Sequence, residues 1–265
     1  MRVAAAVAIN QQLATNNFLN MNIDVVLLPW ELRPEHLSGK AVIVFDVLRA
    51  TTTMTAALAA GVKEIRIFGD LESALSAGHA YLGPHLLCGE RNAVKPPGFD
   101  LGNSPGAFQR DVHKDLTLFM TTTNGTKAIL AAAGAPVVFT GALVNAQAVA
   151  DALLKTNLDA TLLCSGTEGY ICTEDTLGAG AVIDALQSRG AKISLASDVA
   201  WMAHHLFRAE RDDVYDALFE SRGGHNIRRA GLDPDIAFCA ALDSLDVVGV
   251  VRGDDRPAVT TWTGG

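Results

Sequence analysis

The chain has 265 residues, 49% of them apolar, which allows one large domain or two small ones around a sizeable core. Its formal net charge of −8 argues against a general nucleic-acid binder, although a local basic pocket for a small anion is compatible with that charge. No apolar run approaches the ~18 consecutive residues of a membrane span, and the four cysteines, Cys88, Cys164, Cys172 and Cys239, show no CxxC spacing. They read as free thiols in a reducing compartment, so a cytoplasmic protein that binds neither nucleic acid nor membrane is expected.

Residues 1–20 open with Arg2 and VAAAVAI, faintly like a secretory signal. The apolar run is too short and no convincing cleavage site follows, so a short extension is the simpler reading. Residues 23–28 form an expected first strand. Residues 41–45, AVIVF, are continuously apolar and suit a strand buried on both faces. Asp46 stands at the end of that strand. A polar turn with Arg49, Thr51, Thr52 and Thr53 leads into an alanine-rich helix, and Gly61 stops it. Residues 64–68 are a strand and 71–81 a helix.

A second passage repeats this order. Strand 115–120, the polar turn TTTNGT at 121–126, helix 127–133, strand 136–140 and helix 143–154 follow one another. A third unit has strand 160–164, loop SGTEGYICTEDT and helix 177–188. The similarity of the units reflects the common grammar of βα structure better than duplication, because identities are few. Repeated strand–turn–helix units imply a mostly parallel sheet with helices on both faces. Ligands in such folds sit beyond the carboxyl ends of the strands. Later, 199–221 reads as one or two amphipathic helices, 247–251 as a last strand, and 253–265 as an exposed tail. No linker divides the chain, so 21–252 is expected to form one domain.

Between the first two units lies GERNAVKPPGFDLGNSP, residues 89–105. It has no helical or strand period, is rich in proline and glycine, and is anchored by Phe99 and Leu101, which fits a functional loop. Its Glu90, Arg91, Lys95, Asp100, Asn103 and Ser104 offer carboxylates for a metal and cations for an anion. Asp46 needs a partner such as Arg49, a metal or helix amides, and also suits a helix N-cap. TTTNGT is donor-rich and suits a phosphate at a helix start, or is an ordinary threonine-capped turn. Glu174 and Asp175 begin a helix, where acids either favour the dipole or bind metal with Asp46, Glu90 or Asp100. Cys164 reads as a small buried thiol. His204 and His205 lack the i, i+4 spacing of a helical metal pair. Asp46 resembles by position the nucleophile of haloacid-dehalogenase-type phosphatases, but FDVLR lacks the second aspartate of DxDx[TV].

Taken together, FDVLRATTT, GERNAVKPPGFDLGNSP, TTTNGT, GALVNA, the TED acids and DPDIAFCAALD resemble the 2-phosphosulfolactate phosphatases, the ComB-like family, from about residue 25 to 246. Residues 1–20 fall outside the resemblance. It implies an α/β protein of three-layer α/β/α form with a mostly parallel or mixed sheet, ComB-like, and leaves room for a homodimer. It implies magnesium-dependent hydrolysis of 2-phospho-3-sulfolactate, a small anionic phosphorylated substrate, to sulfolactate and phosphate, a step of coenzyme M biosynthesis. On that basis Asp46, Arg49, Glu90, Arg91 and Asn124 are expected in catalysis. Thr51, Thr52, Lys95, Asn103, Ser104, Thr123, Gly125 and Thr126 are expected to bind substrate. Asp46, Glu90 and Asp175, with Asp100 and Glu174 in reserve, are expected to hold Mg2+. The alternatives are a magnesium-dependent phosphatase of another small phosphorylated acid, and a protein that binds such an acid without turnover.

Overall fold

The computed structural model describes residues 20–253 and 256–264. The expected N-terminal extension, up to residue 19, lies outside the described residues. Ten strands form one sheet: β1 (Met21–Val26), β2 (Lys40–Phe45), β3 (Glu64–Ile67), β4 (His85–Gly89), β5 (Thr117–Thr121), β6 (Val137–Gly141), β7 (Asp159–Cys164), β8 (Ile193–Leu195), β9 (Gly249–Arg252) and β10 (Ala258–Thr261). Their order is β4-β5-β3-β10-β9-β6-β2-β7-β1-β8. The helices are α1 (Pro34–Leu37), α2 (Ala50–Ala59), α3 (Leu71–His79), α4 (Arg110–His113), α5 (Gly125–Ala131), α6 (Ala146–Thr156), α7 (Thr173–Ser188), α8 (Asp198–Glu210), α9 (Val214–Glu220), α10 (Arg222–Arg229) and α11 (Asp233–Ala240).

The β2 run alternates faces, as its period of two requires. Ala41, Ile43 and Phe45 pack with α6, α7 and α8, while Val42 and Val44 pack with α2 and α5. Both faces are therefore apolar and the strand reads as a continuous hydrophobic run. In β5, Leu118 and Met120 join the α2–α5 cluster, while Phe119 turns to a separate cluster with Ala74 of α3, Leu87 and Phe99. Helices thus cover both faces of a mixed sheet, in the expected three-layer α/β/α arrangement.

The sheet consists of two parallel groups. Strands β4, β5 and β3 are parallel to one another, as are β6, β2, β7, β1 and β8. The antiparallel pair β9–β10 joins them, with β10 against β3 and β9 against β6. Ile65 and Ile67 of β3 pack into the same cluster as Val42 and Val44 of β2. For both groups to touch α2 and α5, the sheet must curl around those helices. That curl brings loops from the two groups to one place.

The sheet corrects the reading of 253–265 as an exposed tail. Residues 258–261 are a strand in the middle of the sheet, and Val259 is fully buried. Gly253, at φ 82°, turns the chain back, and β10 then pairs with both β9 and β3. A second correction concerns the threonine run. Helix α2 begins at Ala50, so Thr51 and Thr52 are not in a polar turn. Both are fully buried. Their hydroxyls donate to the carbonyls of Asp46 (2.9 Å) and Val47 (2.8 Å), so they secure the β2–α2 junction and are not exposed to a substrate.

Candidate active site

The β2–α2 junction sets Asp46 at one wall of a cleft of about 340 Å³. Its Oδ1 accepts from Ala50 N–H (3.1 Å), in the first turn of α2, and its own N–H donates to Thr51 Oγ1 (3.0 Å). Gly125, the first residue of α5, faces the carboxylate so closely that a Cβ there would lie 2.7 Å from Asp46 Oδ2 and 2.6 Å from Ala50 Cβ. The absence of a side chain is therefore a requirement of the site, and its amide also steadies the Asp46 charge. This corrects the expectation that Gly125 binds substrate directly. Thr126 is corrected too, because its hydroxyl is fully buried and capped against Thr122 (3.1 Å).

Glu90 follows β4 and enters from the other parallel group. Its Oε1 accepts from Thr123 N–H (2.6 Å) and its Oε2 from Ala93 N–H (3.0 Å), so one carboxylate ties the 89–105 loop to the TTTNGT turn. Glu174 comes from the first turn of α7. Its Oε1 accepts from Gly223 N–H (3.0 Å) and Thr167 Oγ1 (3.4 Å), while its buried Oε2 has no partner among the described residues. Burial pushes the Asp46 carboxyl up to about 6, against the Ala50 amide, and the charges of Glu90 and Glu174 add to the rise. Burial also raises Glu174. Asp46 therefore sits near enough to Glu90 and Glu174 to feel both charges.

Asp175 belongs to a different environment. Its Oδ1 accepts from Val47 N–H (2.9 Å), and its Oδ2 from Ser165 N–H (3.1 Å) and Gly166 N–H (3.0 Å), while the Ser165 hydroxyl donates to the Phe45 carbonyl (2.7 Å). Burial raises its carboxyl, with the charges of Asp46 and Glu174 adding, while Val47 N–H opposes. Held by these backbone donors, Asp175 braces the β2 and β7 loops from outside the cleft lining. Asp100 is exposed and accepts from Leu87 N–H (2.8 Å) through Oδ2, outside the cleft lining. The metal roles expected for Asp175 and Asp100 are thus corrected to structural ones.

The cations divide similarly. Arg49 lines the cleft but is only 2% exposed; its guanidinium is engaged by Asp235 Oδ2 (2.6 Å), Ser104 Oγ (3.2 Å) and the Ala93 carbonyl (2.8 Å). Ser104 donates in turn to Asp235 (2.8 Å), so it is a support for this pair and not a cleft residue. Arg91 donates to the Glu90 carbonyl and Thr121 Oγ1 (3.1 Å), and Lys95 to the Asp100 carbonyl (3.2 Å); both hold the loop from outside the cleft. Asn103, Thr123 and Asn124 do line the cavity. Asn103 Oδ1 and Thr123 Oγ1 are buried there without a partner among the described residues. Such atoms await a ligand or water.

Among the lining residues that sequence reasoning did not single out are Thr167 and Glu168 in the loop after β7, and Asn226, Ile227 and Arg229 on α10. The available signal was the i, i+3, i+4, i+7 spacing of Gly223, Asn226, Ile227 and Ala230. A hard, oxygen-preferring cation fits the donor set of Asp46, Glu90 and Glu174, and the partnerless Glu174 Oε2 is an acceptor of the right kind. The fit is one of donor chemistry, since among the described residues no three acidic, histidine or cysteine side chains stand in one metal-binding group.

The comparisons with known proteins cover this whole site. The family model described as 2-phosphosulpholactate phosphatase matches residues 26–254. The probable 2-phosphosulfolactate phosphatase of Carboxydothermus hydrogenoformans is 42% identical over 228 residues, covering 86% of this chain and 92% of the relative. That of Clostridium novyi is 36% identical over 229 residues, with 86% and 96% covered. That of Parasynechococcus marenigrum is 40% identical over 231 residues, with 86% and 95% covered. With the match running from β1 to just beyond β9 and taking in every cleft residue, the chain belongs to the 2-phosphosulpholactate phosphatase family.

Proposed function

We propose that this chain is a phosphoric monoester hydrolase that releases phosphate from 2-phosphosulfolactate and uses Mg2+ to do so. The observation that carries the reading is the presence of Asp46 and Glu90 in a cleft whose walls also hold Asn103, Thr123, Asn124 and Arg229, with Glu174 buried behind the lining residues Thr167 and Gly223. An anion-binding site alone would avoid three carboxylates, whereas a site that binds an anion together with a cation needs them.

Asp46, Glu90 and Glu174 would hold the ion, which supplies charge neutralisation at the phosphoryl oxygens and orients the attacking water. Thr123 and Asn124, at the start of α5, offer hydroxyl and amide donors to the phosphoryl oxygens. Asp46, whose carboxylate faces the cleft, would take a proton from the attacking water. Attack of that water on phosphorus would break the bond to the C2 oxygen, and this oxygen would leave as the alcohol of sulfolactate with the proton that Asp46 took from the water.

The test is phosphate release from 2-phospho-3-sulfolactate with magnesium and with excess EDTA, for the wild type, Glu174→Gln and Asp100→Asn. Metal-dependent release is expected, with Glu174→Gln needing a higher magnesium concentration and Asp100→Asn matching the wild type. Equal release in EDTA would remove the metal from the reading, and no release would remove the activity. Oxygen-18 entering Asp46 during a single turnover in labelled water would replace direct attack by an aspartyl-phosphate.

A further inference from the structure

Helix α10 borders the cleft with one face. Gly223, Asn226, Ile227 and Ala230 lie along it, with Arg229 beside Asn226 on the same side. Arg228 turns away and stacks over the Phe219 ring at 3.8 Å. The helix start is pinned to the carboxylates, because Gly223 N–H donates to Glu174 Oε1 (3.0 Å). Asn226 and Arg229 follow ~4.5 Å and ~9 Å further along the axis, at 1.5 Å per residue. Helical side chains lean back towards the N-terminus, which here means towards Glu174. A side-chain amide and a guanidinium thus stand at graded distances from the acidic end of the cleft.

Arg229 differs from Arg49, the other arginine of the lining. Arg49 is committed to Asp235 and the loop carbonyl. Arg229 is exposed and forms no ion pair among the described residues. A planar, permanently charged fork at the rim suits a carboxylate or sulfonate better than a solvated lysine would. We propose that Arg229, with Asn226 beside it, anchors an anionic substituent of the substrate next to the phosphate, and so selects phosphorylated acids over neutral phosphate monoesters. The inference deepens the hydrolase reading and rests on it for turnover, though not for binding.

Three substrates test this with magnesium present: 2-phospho-3-sulfolactate, 2-phospholactate, which lacks the sulfonate, and glycerol 2-phosphate, which lacks both acids. Arg229→Gln should lower the preference in kcat/KM for the acids over glycerol 2-phosphate by roughly 10- to 100-fold, the worth of hydrogen bonding to a charged group. The change should fall mainly on KM, and Arg229→Lys should keep part of the preference. Loss between the first two substrates identifies the sulfonate as the anchored group; loss between the last two identifies the carboxylate. Preferences unchanged within about twofold would overturn the proposal. Calorimetric binding of 3-sulfolactate, which needs no turnover, should weaken at least about tenfold in Arg229→Gln. Equal affinity in both proteins, or no binding to the wild type, would also overturn it. A wild type that releases no phosphate yet binds 3-sulfolactate through Arg229 removes the hydrolase reading and leaves the anchor. A wild type that turns over with unchanged preferences does the reverse.

Discussion

Replacing Asp46 with asparagine should stabilise the metal-free protein while abolishing turnover. The folded state holds the Asp46 carboxyl at about 6, above its ordinary 3.8, chiefly through burial. An acid whose folded pKa is raised contributes its stability below the unfolded value and loses it as pH rises towards the folded one. The loss therefore accrues between pH 3.8 and about 6. At 1.36 kcal/mol per pH unit, the ionised carboxylate costs the fold about 3 kcal/mol at pH 8, about half of that at pH 5 and little at pH 4. Asparagine keeps the shape and the acceptor for Ala50 N–H without the charge. Urea unfolding in EDTA should thus show Asp46→Asn more stable by roughly 1–3 kcal/mol at pH 8, with the gap closing as pH falls. Saturating magnesium should raise the wild type and leave the variant behind, because only the carboxylate is a full ligand. A wild type more stable than the variant at pH 8 in EDTA, or a gap that ignores pH, would refute the reasoning.

Gly125→Ala forces a methyl against Asp46 and Ala50, so kcat should fall by about 100-fold and stability by roughly 1–3 kcal/mol; wild-type kinetics would show that the carboxylate has room to move. Asp235→Ala strands the buried Arg49 guanidinium and should cost about 3–5 kcal/mol in denaturant unfolding, whereas Arg49→Met with Asp235→Leu should recover most of it. Val259→Asp places a charge in the centre of the sheet and should abolish soluble, cooperative folding; a variant that melts like the wild type would return residues 258–261 to the status of a tail.

What could be read from the sequence was what local chemistry decides. The AVIVF run announces a strand buried on both faces, and Asp46 announces its end, because a charge can follow such a strand only where partners await it. The 89–105 loop was legible as ordered through Phe99 and Leu101; Phe99 is buried under α3, and Leu101 pairs with the β4 edge. The threonine run does not reveal its place in the sequence, because a buried helix start and an exposed polar turn have the same composition. Only the carbonyls that accept the Thr51 and Thr52 hydroxyls tell them apart, and these are set by the path of the chain.

The tail and the acids failed for a related reason. Residues 258–261 form a strand only because the edges of β3 and β9 are left open to receive it, and those edges come from opposite ends of the chain. Glu174 and Asp175 are adjacent in sequence, in the same helical turn, and both buried, so no local rule ranks one above the other. The ranking comes from what each side chain meets. Asp175 points into the β2 and β7 loops and meets three backbone N–H groups, at least one on each oxygen. Glu174 points towards α10 and keeps one buried oxygen without a partner. The same contact decides where α10 begins, because a side chain at position 223 would strike Glu174 Oε1 at 2.1 Å. One glycine therefore lets a late helix close on an early acid, and that approach brings Asn226 and Arg229 to a cleft otherwise built from the first two-thirds of the chain.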